Sequence, residues 1–338
     1  LSVKVDGAPQ EGAITKGAAA VMLARLYFNA EAYIGVPMYD EAAEISKAIL
    51  NNEYGNYSLD TDWNGPHDFE NDQSPEIIWS IPSEFNRLEY THYGHMYHYN
   101  SRVYFDVDLG SNNGTHLQPS RKPDGTLYSK EFKLGSPYEK FEDTDLRKKP
   151  FKYFGSGSYE GMFLVGPQIS PITGEQVIGN EEYNGKPLEF VDKVGRFSEI
   201  GSTYSSIEEI PSNIGAGEEN TGIRLVKIPV PSSQDLTLRW AADHPVFRLA
   251  EVYLMLAECQ LRLGEVAEAA ELINTVRQRA FEGGNDPNPA SAGNLDLYRM
   301  ADEWGIEFLG EGRRRTDLIR LGFFTTEKWW DHSPSNSD

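Results

Sequence analysis

Only one cysteine, Cys259, occurs in the sequence, so no disulfide can close within the chain. Its helical neighbours are apolar, which suits a small buried side chain better than a reactive thiol. Long hydrophobic runs are also missing. The longest, near Val252 to Leu263, is interrupted by Glu258 and Arg262, so nothing approaches the roughly 20 apolar residues of a membrane-spanning helix. Cations are scarce: 31 Lys and Arg stand against 52 Asp and Glu, a net charge of −21. Such a surface repels phosphate backbones and anionic headgroups, which argues against nucleic acid as a partner. No glycine-rich phosphate loop precedes a helix, and neither a His-Glu-x-x-His zinc motif nor a Gly-x-Ser-x-Gly elbow is present. Nothing requires an organic cofactor.

The composition is that of a folded chain. Of the 338 residues 39% are hydrophobic and 12% aromatic, enough for one large domain with a substantial core. Two regions carry a 3.6-residue periodicity. In "TKGAAAVMLARLYFNA" Thr15 can cap a helix, and Ala18, Val21, Met22 and Arg25 to Phe28 follow as a stripe. After the break at "YIGVPM" a second helix carries Ala42, Ile45 and Ile49, and the two make an αα-hairpin. In "HPVFRLAEVYLMLAECQLRLG" Pro245 suits a first helical turn, and Leu249, Val252, Tyr253, Leu256, Cys259 and Leu263 share a face until Gly264. Ala269, Leu272, Ile273 and Val276 line the next helix, stopped by Gly283 and Gly284. A last stripe holds Leu297, Met300, Ala301, Trp304 and Phe308. The spacing predicts helices over 16–30, 40–52, 246–263, 266–281 and 295–310, with the small-residue pattern of tetratricopeptide hairpins.

Residues 54–240 differ. They are rich in Gly, Pro, Tyr, Asn and Ser, with only short periodic runs; "EIIWSIP" and "GIRLVKIPVP" are expected strands. A structureless loop of that length does not fit a compact domain. The expectation is therefore one domain over 1–338, mainly α: hairpins at 16–52 and 243–322 supporting an irregular lobe at 54–240.

Several motifs invite a chemical reading. "EGRRRTDLIRLG" crowds Glu311, three arginines and Asp317, but arginine forks pair naturally with carboxylates, and Leu318, Ile319 and Leu321 serve as apolar anchors. A packing role is expected there. Carboxylates pair at Asp106 and Asp108 and at Asp143 and Asp145, yet spacing alone cannot place two groups across a glycosidic bond. "DVDLGSNNG" lacks the ligand spacing and final Glu of an EF-hand, so calcium is left open only elsewhere. In "THYGHMYHYN" the three-residue repeat of His92, His95 and His98 gathers them around no single ion on a helix or a strand, and no metal site is expected. Buried, that stretch would need a partner for every ring nitrogen and phenol. A surface of aromatic faces with hydrogen-bonding rims suits it better, and sugars, with C–H on one ring face and hydroxyls around the edge, match such a surface.

"FRLAEVYLMLAECQLRLG", "INTVRQRA" and "EWGIEFLGEGRRRTDLIRLG" resemble the C-terminal signatures of the SusD/RagB family. "KGAAAVMLARLYFNA…YDEAAEISKAIL", "EIIWSIP" and "DTDLRKKPF" resemble that family's middle section, in order, from about Lys16 to Gly322. The resemblance implies tetratricopeptide hairpins supporting an irregular ligand-binding lobe. It implies a surface lipoprotein of the outer membrane that captures glycans, or in some members peptides, for a SusC-like TonB-dependent transporter. The family's lipidated N-terminal cysteine and first hairpins have no counterpart here, so membrane association is expected only through an anchor outside these residues. The resemblance also places ligand contacts just after "EIIWSIP". The expected glycan site is therefore Tyr90, Tyr93, Tyr97 and Tyr99, with His98, Asn100 and Arg102 bonding the rim; the loops around Tyr153 to Tyr159 are the alternative. A RagB-like peptide binder, or a helical scaffold for proteins alone, remains open beside the glycan reading. Catalysis is the least expected.

Overall fold

The computed structural model describes residues 1–4, 12–84, 116–122, 124–170, 173–179, 181–211, 214–229, 235 and 242–327. In chain order its helices are α1 (Lys16–Phe28), α2 (Ala30–Ile34), α3 (Tyr39–Leu50), α4 (Leu249–Leu263), α5 (Val266–Arg277), α6 (Leu297–Glu307) and α7 (Arg314–Arg320), besides single turns. Its strands are β1 (Ile77–Ile81), β2 (Lys152–Gly155), β3 (Ser158–Glu160), β4 (Phe163–Leu164), β5 (Gly166–Pro167), β6 (Glu189–Phe190), β7 (Arg224–Leu225) and β8 (His244–Arg248). The chain is mainly α with a few short strands, as its periodicities predict. It divides into two compact units, one within residues 1–90, 144–146 and 237–325, the other within 91–143, 147–236 and 326–338.

The first unit holds every helix from α1 to α7. Thr15 caps α1 as expected, its hydroxyl accepting the Ala18 amide at 3.3 Å. Gly17, Ala18, Val21, Ala24 and Phe28 form its buried face. The small residues let α1 lie close to its neighbours, and it packs against α3 and α4. The limiting contact is at Gly17, where a Cβ would stand 2.1 Å from the Tyr57 hydroxyl. Gly264 closes α4 in the left-handed region, at φ 93°. Val252, Leu256, Ile273 and Phe308 are all buried, in one cluster with Trp304, whose ring lies 6.0 Å from Phe28 and 5.4 Å from Phe308.

Four expectations need correcting. Pro245 does not begin a helix: it lies in β8, opposite Ser80 of β1, and α4 starts at Leu249. A strand partner far away in sequence outweighs the local helix signal, and proline is tolerated where the pairing is already irregular, beside the register shifts of this ladder. The helix expected over 16–30 ends at Phe28, and the chain turns at Asn29 into the short α2. Met22, Leu263 and Ile319 are exposed rather than facing the core. Among its described residues "GIRLVKIPVP" yields only the two-residue β7, paired with β4.

The second unit is built from β2 to β7 and loops. Among the described residues its two-stranded ladders are β2–β3, β4–β7 and β5–β6. Its core gathers Phe141, Phe163, Phe190, Phe197 and Leu188, with Phe141 and Tyr138 both edge-on to Phe163 at 5.3 and 5.0 Å. The described residues 54–84 fall within the first unit.

Candidate functional site

Tyr90, Tyr93, Tyr97, Tyr99, His98, Asn100 and Arg102 all lie outside the described residues, as do Asp106, Asp108, His92 and His95. What the structure does show is how the strand leading to them is held. Asp243 accepts from the Ser80 hydroxyl at 2.8 Å and from the Ser83 amide at 2.9 Å. Asn71 in turn grips the Asp243 backbone, donating to its carbonyl at 2.9 Å and accepting its amide at 2.7 Å. Burial raises the Asp243 carboxyl above the usual range, and the bonds from Ser83 and Ser80 offset only part of that. Trp79 is half-buried and not free to serve as a ligand platform: its indole donates to the Gly12 carbonyl at 2.9 Å, and its ring lies 5.6 Å from Phe247.

The arginine-rich cluster resolves as structure, as expected. Arg248 is buried and donates to Glu76 at 3.0 Å, to Glu307 at 2.6 Å and to Glu311 at 2.8 and 2.9 Å, with Phe308 under its guanidinium at 3.9 Å. Arg279 joins Glu76 to Glu307. Glu251 is clasped between Arg25 and Arg313. Glu258 accepts from Arg320 at 3.0 and 2.8 Å, from Arg262 at 3.0 Å and from the Trp304 indole at 2.8 Å. Burial alone would raise Glu76, Glu251 and Glu258, but the facing arginines hold all three below the usual carboxylate range. Carboxylates kept ionised and enclosed by cations can neither donate a proton nor attack a substrate. Asp143 is likewise engaged, exposed and paired with Lys148 at 2.7 Å. Cys259 is buried, and burial raises its thiol far above the range where it would be nucleophilic. Among the described residues no group of three or more His, Cys, Asp or Glu is placed to hold a metal. No helix among them is long and apolar enough to cross a membrane.

A cavity of about 590 Å³ opens in the second unit. One wall is the β2–β3 hairpin with its lead-in, contributing Phe151, Tyr153 and Glu160; the other runs from Leu164 to Ser170. The hairpin turns tightly, with Gly155, Ser156 and Gly157 all at positive φ. Its conformation is locked by a buried phenol. The Tyr153 hydroxyl donates to Asp235 at 2.6 Å and accepts the Gly157 amide at 2.9 Å, while the Ser156 amide reaches the same carboxylate at 3.1 Å. Burial, then the bond to Asp235, pushes the Tyr153 phenol up to about 12. Sequence patterning missed the second wall, because "FLVGPQIS" carries no period and its two-residue strands leave no trace. The only signal was the pair of tyrosines in "KYFGSGSYE".

The arrangement of helices and loop-borne ladders recurs in solved structures. A SusD superfamily protein from Bacteroides fragilis matches with a TM-score of 0.54 at 19% identity, covering 93% of this chain and 56% of that one. Surface glycan-binding protein A from Bacteroides thetaiotaomicron matches with a TM-score of 0.50 at 16% identity, covering 98% and 61%. In sequence, the starch-binding protein SusD of Bacteroides thetaiotaomicron is 26% identical over 329 residues, 95% of this chain and 54% of that protein. The chain thus spans about half the length of this curated relative. The family model described as the SusD family matches residues 75–338. The chain belongs to the SusD family.

Proposed function

We propose that this chain holds an oligosaccharide at the outward face of the outer membrane, without chemical change, for delivery to a SusC-like TonB-dependent transporter. The observation that carries the reading is the match over 95% of the chain to a protein named for starch binding. The engaged carboxylates of the helical unit agree with a non-catalytic role. In this reading both units belong to one SusD-like domain, anchored by lipid outside these residues. The ligand lies on Tyr90, Tyr93, Tyr97 and Tyr99, with His98, Asn100 and Arg102 at its hydroxyls. Exposed aromatic faces suit the C–H side of a sugar ring, and a net charge of −21 favours a neutral polymer over an anionic one.

The test is a calorimetric screen of the chain against hexasaccharides of α-1,4-glucan, β-1,4-glucan, β-1,3-glucan and β-1,4-mannan, with a tryptic casein digest beside them. Binding of at least one hexasaccharide is expected. Tyr93→Ala and Tyr97→Ala should each weaken it by about 1 kcal/mol, a Kd roughly fivefold higher, with the melting temperature unchanged. Binding of the digest with no hexasaccharide bound would replace the glycan by a peptide.

A further inference from the structure

The cavity beside the β2–β3 hairpin lies at the loops expected as the alternative ligand site, and its lining says what it can hold. We infer that it is a sugar subsite for a neutral oligosaccharide, an inference that rests on the glycan reading. Its volume, about 590 Å³, falls inside the roughly 300–1,000 Å³ typical of ligand pockets. Aromatic and aliphatic side chains, Phe151, Tyr153, Leu164 and Ile169, form its walls, with the Gln168 and Ser170 side chains buried among them. Lys152 and Glu160 both line it as well. One charge of each sign gives no net attraction for an anion or a cation, so a neutral ligand is favoured. The Gln168 amide donates to the Gly166 carbonyl at 2.6 Å and the Ser170 hydroxyl accepts the Thr173 amide at 3.2 Å, so the apolar and ring surfaces, which match the C–H side of a pyranose, carry the fit.

The backbone argues against a peptide. An extended peptide binds by pairing with strand amides, and here several of the lining amides are engaged or absent. The Phe151 amide donates to Phe163 at 2.7 Å, Gln168 to Leu188 at 3.0 Å and Ser170 to Glu175 at 2.9 Å. Pro150 and Pro167, also in the lining, have no amide hydrogen to offer. Side chains are then left with most of the recognition, as they are for sugars. The wall is also preformed, because the Tyr153–Asp235 bond and the two amides gathered on it fix the hairpin before any ligand arrives. That lowers the ordering cost of binding. Ile169, with 52% of its surface exposed, stands in the lining without being buried by the fold.

The experiment uses the whole chain, the four hexasaccharides and the casein digest. Ile169→Arg puts a charged side chain into the lining, and Phe151→Leu removes an aromatic face while keeping an apolar side chain. Ile178→Arg is the control, at a residue of similar exposure, 45%, outside the lining. With melting temperatures matched, both lining variants should raise the Kd of the bound hexasaccharide about fivefold or more, and the control should leave it unchanged. If wild type binds a hexasaccharide and either lining variant binds it as well as wild type, the subsite is wrong while the glycan reading stands. An equal loss in the control also overturns the subsite, and so does digest binding that the lining variants alone abolish. If wild type binds no hexasaccharide, both readings fall together.

Discussion

At the scale of single residues, Glu258 shows what the buried charges do. It is fully enclosed, and its two oxygens accept four hydrogen bonds, from Arg320 twice, from Arg262 and from Trp304. Burial pushes its pKa up, yet the Arg320 and Arg262 guanidiniums overcome that and leave it lowered. A carboxylate whose folded pKa lies below its unfolded value stabilises fully above the unfolded value, near 4.5, and loses that contribution as pH falls through the folded one. Glu258→Gln keeps the shape but leaves two arginines facing a neutral amide, so it should cost about 3–5 kcal/mol at pH 7. Denaturant titrations at pH 7, 5 and 3 are expected to show the gap from wild type constant between the first two and narrower at the third. A gap of one size at all three would mean that the charge of Glu258 contributes nothing.

At the scale of elements, α1 carries a constraint that helix propensity alone would reverse. Replacing glycine by alanine inside a helix ordinarily gains about 0.5–1 kcal/mol. At Gly17 the added methyl would meet the buried Tyr57 hydroxyl at 2.1 Å and its ring carbons at 2.8 and 2.9 Å. Gly17→Ala should therefore destabilise by about 1–3 kcal/mol, and Tyr57→Phe in the same chain should recover part of the loss by removing the closest atom. Thermal melts of the single and double variants decide it; a single variant more stable than wild type would show that the helix can move away. The elements differ in how far the sequence foretells them. The α1, α4, α5 and α6 stripes are local, repeat every 3.6 residues, and were placed from periodicity to within a few residues. The β1–β8 pairing was not, because it joins Ser80 to Pro245 across the whole second unit and depends on a partner no local window contains. The arginine clusters were legible as packing in "EGRRRTDLIRLG", but their partners Glu76, Glu251 and Glu258 were not, being distant in sequence. The tyrosine-rich stretch at 90–102 lies outside the described residues, so that site rests on composition and family resemblance. The cavity beside Tyr153 was legible as one wall of two.

At the scale of the molecule, the exposed apolar side chains are unevenly placed. Met22, Leu23 and Leu26 of α1, Tyr33 and Ile34 of α2, and Val36 just beyond are each at least 42% exposed, and all belong to the helical unit. Met22 and Leu26 are four apart in α1 and so lie on one face of it. Scattered apolar residues are ordinary on a protein surface, but a run of this kind along two successive helices favours association. A net charge of −21 opposes contact between two copies. That repulsion acts over about 10 Å in 0.1 M salt and about 3 Å in 1 M. Light scattering on the chain of residues 1–338 should therefore show a monomer in dilute buffer and growing association as sodium chloride rises towards 1 M. Met22→Glu with Leu26→Lys places opposite charges on that face in the favourable i, i+4 order. Because both positions are exposed, the pair should leave stability within about 0.5 kcal/mol of wild type while abolishing the salt-induced association. Unchanged scattering in the variant would assign the association to another surface, and a lowered melting temperature would show that these side chains support the fold after all.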